Sequence, residues 1–308
     1  MMLAVGPAIA DALPGAAQTA PKLKVAVVPS DVAAQAYYAG DLGYFQDAGL
    51  SVEIIPMQNG PAIVAAVASG AVDIGYSNLL SIAVAHEKGL SVTILAGANL
   101  SDSKAPSVGI LAVTKSSPIR TAKDLNGKTI AVDGLNTIAQ LGVRNWMDKN
   151  GGDSTSAHFV ELPFGQMPEA LVQGRVDAAS MNQVADPALG KPDDPLRLLG
   201  NTFDAVAPRF AFGVWFSTKD WAAKNRDLVQ RFATAMRRAG AWGNAHHQES
   251  AAILAKYLKQ SPQQINAVNR AVYGAEFDPR LAQPPLDLAL KYGALRAPLQ
   301  AKELMATP

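Results

Sequence analysis

The side chains best placed to do chemistry in this 308-residue chain are hydroxyls, amides and a few acids that follow short apolar runs. Ser30 and Asp31 follow the run at residues 24–28, Asn59 follows 52–55, and Ser77 and Asn78 follow 72–76. In the second half, Asn136 and Thr137 follow residues 129–132, Phe164 and Gln166 follow 157–162, and Asn182 follows 177–181. Hydroxyls, amides and the free N–H groups of helix starts orient an oxyanion without a full counter-charge. Each of these residues equally fits a plain N-cap, because Ser, Thr, Asn and Asp are the preferred cap types. Asn136 and Thr137 stand out because they precede a helix running to Lys149, where an anion meets unpaired N–H groups and the positive end of the dipole. Arg209, just before the run at 212–219, offers either a bidentate contact to a carboxylate or sulfonate or a surface salt bridge. Tyr37, Tyr38, Phe164, Phe210 and Trp215 lie in or near the same segments and suit the apolar body of an organic ligand. Tyr38 shares a helical face with Leu42 and Phe45 and reads as core.

Catalytic patterns are missing from the sequence. The four histidines, His86, His158, His246 and His247, have no metal-like spacing, and the adjacent pair points to different helix faces. There is no Gly-x-Ser-x-Gly, no Walker loop and no Gly-x-Gly-x-x-Gly. Zero cysteines exclude disulfides, thiolate nucleophiles and cysteine-ligated metal sites together. We therefore expect no catalytic residue, no metal and no cofactor. A net charge of +1 leaves no basic stripe for phosphates, which argues against nucleic acid as a partner.

The elements that must position the polar set alternate between strand and helix. Runs at residues 24–28, 52–55, 72–76 and 92–96 read as strands, with helices around Tyr38–Leu42–Phe45, 61–68 and 78–88 between them. A second round has strands at 129–132, 157–162 and 177–181 and helices at 136–149 and 168–173. Such alternation indicates right-handed βαβ units and mostly parallel sheets. The segment Ala66 to Gly75 returns 104 positions later as Ala170 to Ala179, both built around Gly-x-Val-Asp. Lys24, Val28, Asn78, Gly109 and Thr114-Lys115 recur at the same offset. Two similar α/β lobes imply a cleft, and clefts bind ligands. The equivalent runs 108–115 and 212–219 are expected to be the two strands that cross between the lobes as a hinge. Lobe 1 then comprises residues 22–112 and 215–308, and lobe 2 residues 113–214. Its helical tail includes stretches at 228–240, 250–259 and 286–291, and residues 186–195 form a Pro- and Asp-rich surface loop. Residues 1–21 contain no Lys or Arg and carry Ala-x-Ala-like triplets, so they are read as a signal-peptide remnant or mobile tail without the usual basic start. No run of about 18 apolar residues is present, and the mature chain is expected to be soluble.

Three segments in order carry a family resemblance. Ala36-Tyr37-Tyr38-Ala39-Gly40-Asp41-Leu42-Gly43-Tyr44-Phe45 with Ala48-Gly49-Leu50-Ser51-Val52-Glu53 is the first, and Ala68-Ser69-Gly70-Ala71-Val72-Asp73-Ile74-Gly75 the second. The third joins Ser117-Pro118-Ile119-Arg120-Thr121 to Asp124-Leu125-Asn126-Gly127-Lys128-Thr129-Ile130-Ala131-Val132. Together they resemble the nitrate/sulfonate/taurine-type solute-binding proteins of ABC importers, of the thiamine-pyrimidine-synthase-like superfamily. The resemblance implies a type II periplasmic-binding fold of two lobes joined by two hinge strands. It also implies an extracytoplasmic, monomeric receptor that closes on a small organic anion and hands it to an ABC transporter permease. Two alternatives share the fold: a cytosolic enzyme of the menaquinone-pathway type, and a binder of a neutral pyrimidine thiamine precursor. The pyrimidine synthases themselves carry a cysteine-rich motif that this chain lacks.

Overall fold

The computed structural model describes residues 22–105, 109–181, 189, 191–274 and 276–305; the signal-like segment 1–21 and the candidate Asn182 lie outside the described residues. The chain opens with β1 (Leu23–Val27), α1 (Gln35–Asp41), α2 (Tyr44–Asp47), β2 (Val52–Pro56), α3 (Gly60–Ala68), β3 (Ile74–Asn78), α4 (Leu79–Glu87) and β4 (Val92–Gly97). Short β5 (Asn99–Asp102) leads to β6 (Ile110–Thr114). The second round is β7 (Thr129–Val132), α5 (Ile138–Lys149), β8 (His158–Glu161), α6 (Met167–Val172), β9 (Ala178–Met181) and β10 (Leu196–Asn201). Then come β11 (Arg209–Ala211) and β12 (Gly213–Thr218). The tail holds α7 (Lys219–Lys224), α8 (Arg226–Ala245), α9 (His247–Leu258), α10 (Pro262–Asn266), β13 (Val272–Tyr273) and α11 (Pro279–Lys291). The single helix expected across Tyr38, Leu42 and Phe45 divides at Gly43 into α1 and α2.

Two five-stranded sheets result, ordered β2-β1-β3-β12-β4 and β8-β7-β9-β6-β10. The orders correspond strand for strand, which is the structural form of the sequence repeat. In each sheet the fourth strand is antiparallel to its neighbours and is contributed by the other half of the chain: β12 runs against β3 and β4, β6 against β9 and β10. β6 thus lies wholly in the second sheet and β12 wholly in the first, so the boundaries expected at 112/113 and 214/215 fall inside strands. Residues 110–112 belong with lobe 2, and residues 213 and 214 with lobe 1.

The hinge expectation needs the same correction. The runs at 110–114 and 213–218 are interior sheet strands. The crossings are made by β5 and β11, which pair antiparallel as Arg209↔Asp102, Phe210↔Ser101 and Ala211↔Leu100, with β13 completing a small sheet of three. Away from this hinge, α5 of lobe 2 touches the end of α11. Lys291 Nζ donates to Asn145 Oδ1 at 3.0 Å, and the Tyr292 hydroxyl donates to Asp148 Oδ2 at 2.6 Å.

Each sheet is covered on both faces, so its central strands are largely buried and their side chains alternate between two cores. In β12, Val214 and Phe216 join the cluster under α3, α4 and α11, while Trp215 joins Val25, Val27, Tyr38 and Phe232 under α1 and α8. In β7, Ile130 packs with Val143 and Met147 of α5, and Ala131 with Met167 and Leu171 of α6. Each fully buried Val, Leu, Ile or Phe contributes about 1.5–3 kcal/mol.

The repeated Gly-x-Val-Asp has a definite job. Gly70 (φ 75°) and Gly174 (φ 68°) end α3 and α6 in the left-handed conformation that costs a side-chain-bearing residue most. Val72 and Val176 are buried. The aspartates then staple the next strand to the first one. Asp73 accepts from Lys24 N at 2.8 Å and donates its own N–H to Lys24 O at 3.0 Å; Asp177 does the same with Thr129 at 2.9 and 2.8 Å. The partner is Lys24 in lobe 1 but Thr129 in lobe 2, so the opening strands match at an offset of 105 rather than 104. Asp73→Ala and Asp177→Ala are expected to destabilise the protein equally, by about 1–2 kcal/mol each. Thermal melts followed by circular dichroism check this; unequal losses would contradict the equivalence.

Candidate functional site

Ligands of open parallel sheets bind beyond the carboxyl ends of the strands. In lobe 1 that edge is formed by the starts of α3 and α4. Asn59 caps α3, accepting from Ala62 N at 2.9 Å, and Asn78 caps α4, accepting from Ser81 N at 2.8 Å. Between them sits Ser77, fully buried, with a hydroxyl that has no hydrogen-bond partner. Leaving a buried hydroxyl unsatisfied costs about 1–3 kcal/mol, so such a group in a native fold asks for a reason. Gly60 covers the hydroxyl. A Cβ at this position would lie 2.5 Å from Ser77 Oγ and 3.7 Å from Asn78 Nδ2, so only glycine lets the start of α3 approach the hydroxyl this closely. The Gly60 N–H is the first of its helix and has no intrahelical acceptor. The Ser77 hydroxyl, the Gly60 N–H and the Asn78 amide thus lie close together at the edge of lobe 1, a donor set that suits an oxygen carrying negative charge.

The facing edge of lobe 2 has the opposite character. Thr137 caps α5, accepting from Gln140 N at 3.4 Å, and its proton faces Asp133 Oδ1 and the Gly134 carbonyl, both at 2.9 Å. Leu135 N donates to Glu161 Oε1 at 2.7 Å, and Asn136, in the left-handed region at φ 58°, donates its N–H to Gln140 Oε1 at 2.6 Å. The N–H groups of Leu135 and Asn136 and the Thr137 hydroxyl, expected to face an anion, are therefore already engaged by protein oxygens, two of them carboxylates. Asp133 is solvent-exposed yet crowded by protein, which marks a concave wall. That crowding pushes its carboxyl above the ordinary carboxylate value, and nearby Glu161 adds to the rise against the hydrogen bond from Thr137. Phe164 is half-buried against the Met167–Ala170 cluster and Gln166 is exposed. Leu79 and Ile138, the first residues of α4 and α5, share one buried apolar cluster with Phe203 and Phe210, which sets the two edges across a common floor.

Four expected contacts are placed elsewhere by the structure. Trp215 is fully buried, donating Nε1–H to Gln35 Oε1 at 2.9 Å and packing edge-on against Tyr76 and Phe232, so it belongs to the core. Phe210 is likewise core. Arg209 pairs with Asp102 across the hinge at 3.3 Å. Asp31 is locked by the tail: Arg270 pairs with it at 3.1 Å, the Tyr273 hydroxyl donates at 3.0 Å, and the Ala271 N–H donates as well. Desolvation opposes the Arg270 charge, but Asp31, Tyr38 and Tyr273 together outweigh it and hold the guanidinium above its usual value. Burial first, then Asp31, raises the Tyr273 phenol. Ser30 remains half-buried at the lobe 1 edge, its hydroxyl 3.4 Å from the Val28 carbonyl. Among the described residues no group of three or more His, Asp or Glu side chains could hold a metal ion. Gly60 and Glu161 carry no motif. The signal for each is position alone, one residue past a cap and the last residue of a strand.

A family model described as NMT1/THI5 like matches residues 31–250. The chain belongs to that family. It is 24% identical over 254 residues to the 4-amino-5-hydroxymethyl-2-methylpyrimidine phosphate synthase of Aspergillus parasiticus, covering 78% of this chain and 70% of that one. Over 198 residues it is 30% identical to the taurine-binding periplasmic protein of Escherichia coli K12, covering 63% of this chain and 58% of the relative. Its fold matches that of the periplasmic aliphatic sulphonate binding protein SsuA from Escherichia coli with a TM-score of 0.76 at 17% identity, over 93% of this chain and 92% of that one. The two-lobed periplasmic-binding architecture expected from the sequence is the one this chain adopts.

Proposed function

We propose that this NMT1/THI5-like chain is a solute-binding protein of an ABC importer, working outside the cytoplasm as a monomer. It captures a small organic oxyanion between its lobes and presents it to a membrane permease. The observation that carries this reading is the buried, unpartnered Ser77 hydroxyl packed beneath Gly60 at the carboxyl edge of the lobe 1 sheet. A hydroxyl kept unsatisfied in the free protein is stabilised when a ligand oxygen completes it, and that differential affinity is what shifts a hinge towards closure. The taurine-binding relative and the sulphonate-binding fold neighbour support the ligand class. The pyrimidine phosphate synthase relative supports a second reading, an aminopyrimidine ligand, which belongs in the same panel.

A thermal-shift screen against alkanesulfonates, taurine, nitrate, aromatic carboxylates and aminopyrimidines tests the proposal, since a ligand at 100 times its Kd stabilises by about 2.7 kcal/mol. Ser77→Ala should then act in two directions. The ligand-free variant should melt at the same temperature or higher, because an unsatisfied buried hydroxyl is gone. Its affinity for the best ligand should fall roughly tenfold, the loss of about 1.4 kcal/mol. Unchanged affinity in calorimetry would place the ligand elsewhere. Chemical conversion of the ligand on incubation would replace the receptor reading by an enzymatic one.

A further inference from the structure

We propose that the ends of α5 and α11 form a polar clasp between the lobes, centred on Asn145 and Tyr292, that restrains their rotation about the hinge. The clasp concerns how the lobes move and holds whatever ligand they close on. Only two short strands, β5 and β11, carry the crossing, and a hinge of that kind leaves two bodies free to rotate unless a further contact opposes it. Ile138 and Leu141 of α5 share one buried apolar cluster with Phe210 of β11 and with Ala282 and Leu286 of α11. Apolar contact is non-directional and lets one helix slide along another. Hydrogen bonds do not, because they weaken steeply outside a narrow range of distance and angle.

Asn145 is 4% exposed, and each end of its amide reaches a different part of the molecule. Nδ2 donates at 2.6 Å to the Ala205 carbonyl, in the turn that leads into β11, and Lys149 Nζ donates to the same carbonyl at 2.7 Å. Oδ1 accepts from Lys291 Nζ at 3.0 Å and lies 3.3 Å from the Tyr292 hydroxyl, whose shorter bond goes to Asp148 Oδ2. Tyr292 is held elsewhere as well. Its carbonyl accepts from Arg144 Nη1 at 3.4 Å, and its ring centroid lies 4.5 Å from the Arg144 guanidinium and 4.7 Å from the Lys291 ammonium. The contacts of Arg144, Asn145 and Asp148 with Lys291 and Tyr292 all join α5 of lobe 2 to the lobe 1 tail. A rotation that moves α5 along α11 must therefore break them together. Asn145 stands eight residues beyond the Thr137 cap, about 12 Å along the helix, so the clasp is separate from the cleft edge. A contact of this kind biases the lobes towards one angle by as much as it differs in strength between angles.

Distances between spin labels test this without any ligand. The chain has no cysteine, so Lys88→Cys in lobe 1 and Lys123→Cys in lobe 2, both exposed, give a single labelled pair. In that background Lys291→Met/Tyr292→Phe removes both donors of α11 while keeping the apolar stem and ring, and its melting temperature should stay close to that of the labelled parent. Pulsed electron resonance should show the distance distribution broadened or displaced, with the ratio of lobe spacings changed by about fivefold or more, the weight of a lost hydrogen bond. Asp148→Ala, which removes the acceptor from the other lobe, should move the distribution in the same direction. Distributions that superimpose on the parent's, a response in one variant alone, or responses in opposite directions would overturn the clasp. Because no solute is present, a failure of the receptor reading in the thermal-shift panel leaves this result unaffected.

Discussion

Arg270→Met is expected to lower the unfolding free energy by about 3–5 kcal/mol, the usual cost of removing one partner from a buried ion pair. The guanidinium side chain is 6% exposed and its carboxylate partner, on Asp31, 16% exposed. Loss of Arg270 strands the Asp31 charge and also removes donors from the Tyr38 hydroxyl (2.8 Å), Ser250 Oγ (3.1 Å) and the His247 carbonyl (3.2 Å). For a chain of this size the melting temperature should fall by roughly 6–15 °C. Arg270→Met combined with Asp31→Leu should recover much of the loss, because an apolar pair of similar volume leaves no unpaired charge. Denaturant unfolding of the single and double variants checks it. A single variant as stable as wild type would mean that the tail does not lock the loop after β1.

Gly60→Ala is expected to cost the most in binding. The added Cβ would sit 2.5 Å from Ser77 Oγ, so the hydroxyl must swing away from the Gly60 N–H with which it would share a ligand oxygen. Hydrogen bonds to a charged group contribute about 1.5–3 kcal/mol each, so losing even one reduces affinity by roughly ten- to a hundredfold. The helix start itself tolerates alanine, so the melting temperature should change far less than the affinity. Titration calorimetry with the best ligand of the panel, beside a melt of the free variant, separates the two. An affinity within twofold of wild type would show that the ligand does not meet Ser77 and Gly60.

The order of strands and helices was legible because sheets buried on both faces need continuous apolar runs, and β1, β7 and β12 have them. The repeat was legible for a related reason: a left-handed glycine, a buried valine and a strand-stapling aspartate must recur wherever the same βαβ corner recurs. The hinge was not. Asn99-Leu100-Ser101-Asp102 and Arg209-Phe210-Ala211 are short and half polar, so the longer apolar runs beside them drew the assignment. Cap positions located the cleft edges, since Asn59, Asn78 and Thr137 are caps and stand at the carboxyl ends of their sheets. Their chemistry was hidden because it depends on residues distant in sequence. Glu161 occupies the Leu135 amide from 26 positions away, and Arg270 neutralises Asp31 from 239. The burial of the Ser77 hydroxyl depends on Gly60, 17 positions earlier, which can come this close only because it has no side chain. Residue type gave Ser77 as a donor; only packing makes it an unsatisfied one.

The most direct test of the central claim is a crystal structure of the protein with the tightest ligand of the panel. It should show an oxyanion oxygen of the ligand within hydrogen-bond distance of both Ser77 Oγ and Gly60 N, with the two lobes closed over it. A ligand bound elsewhere, with the Ser77 hydroxyl still unpartnered, would contradict the account.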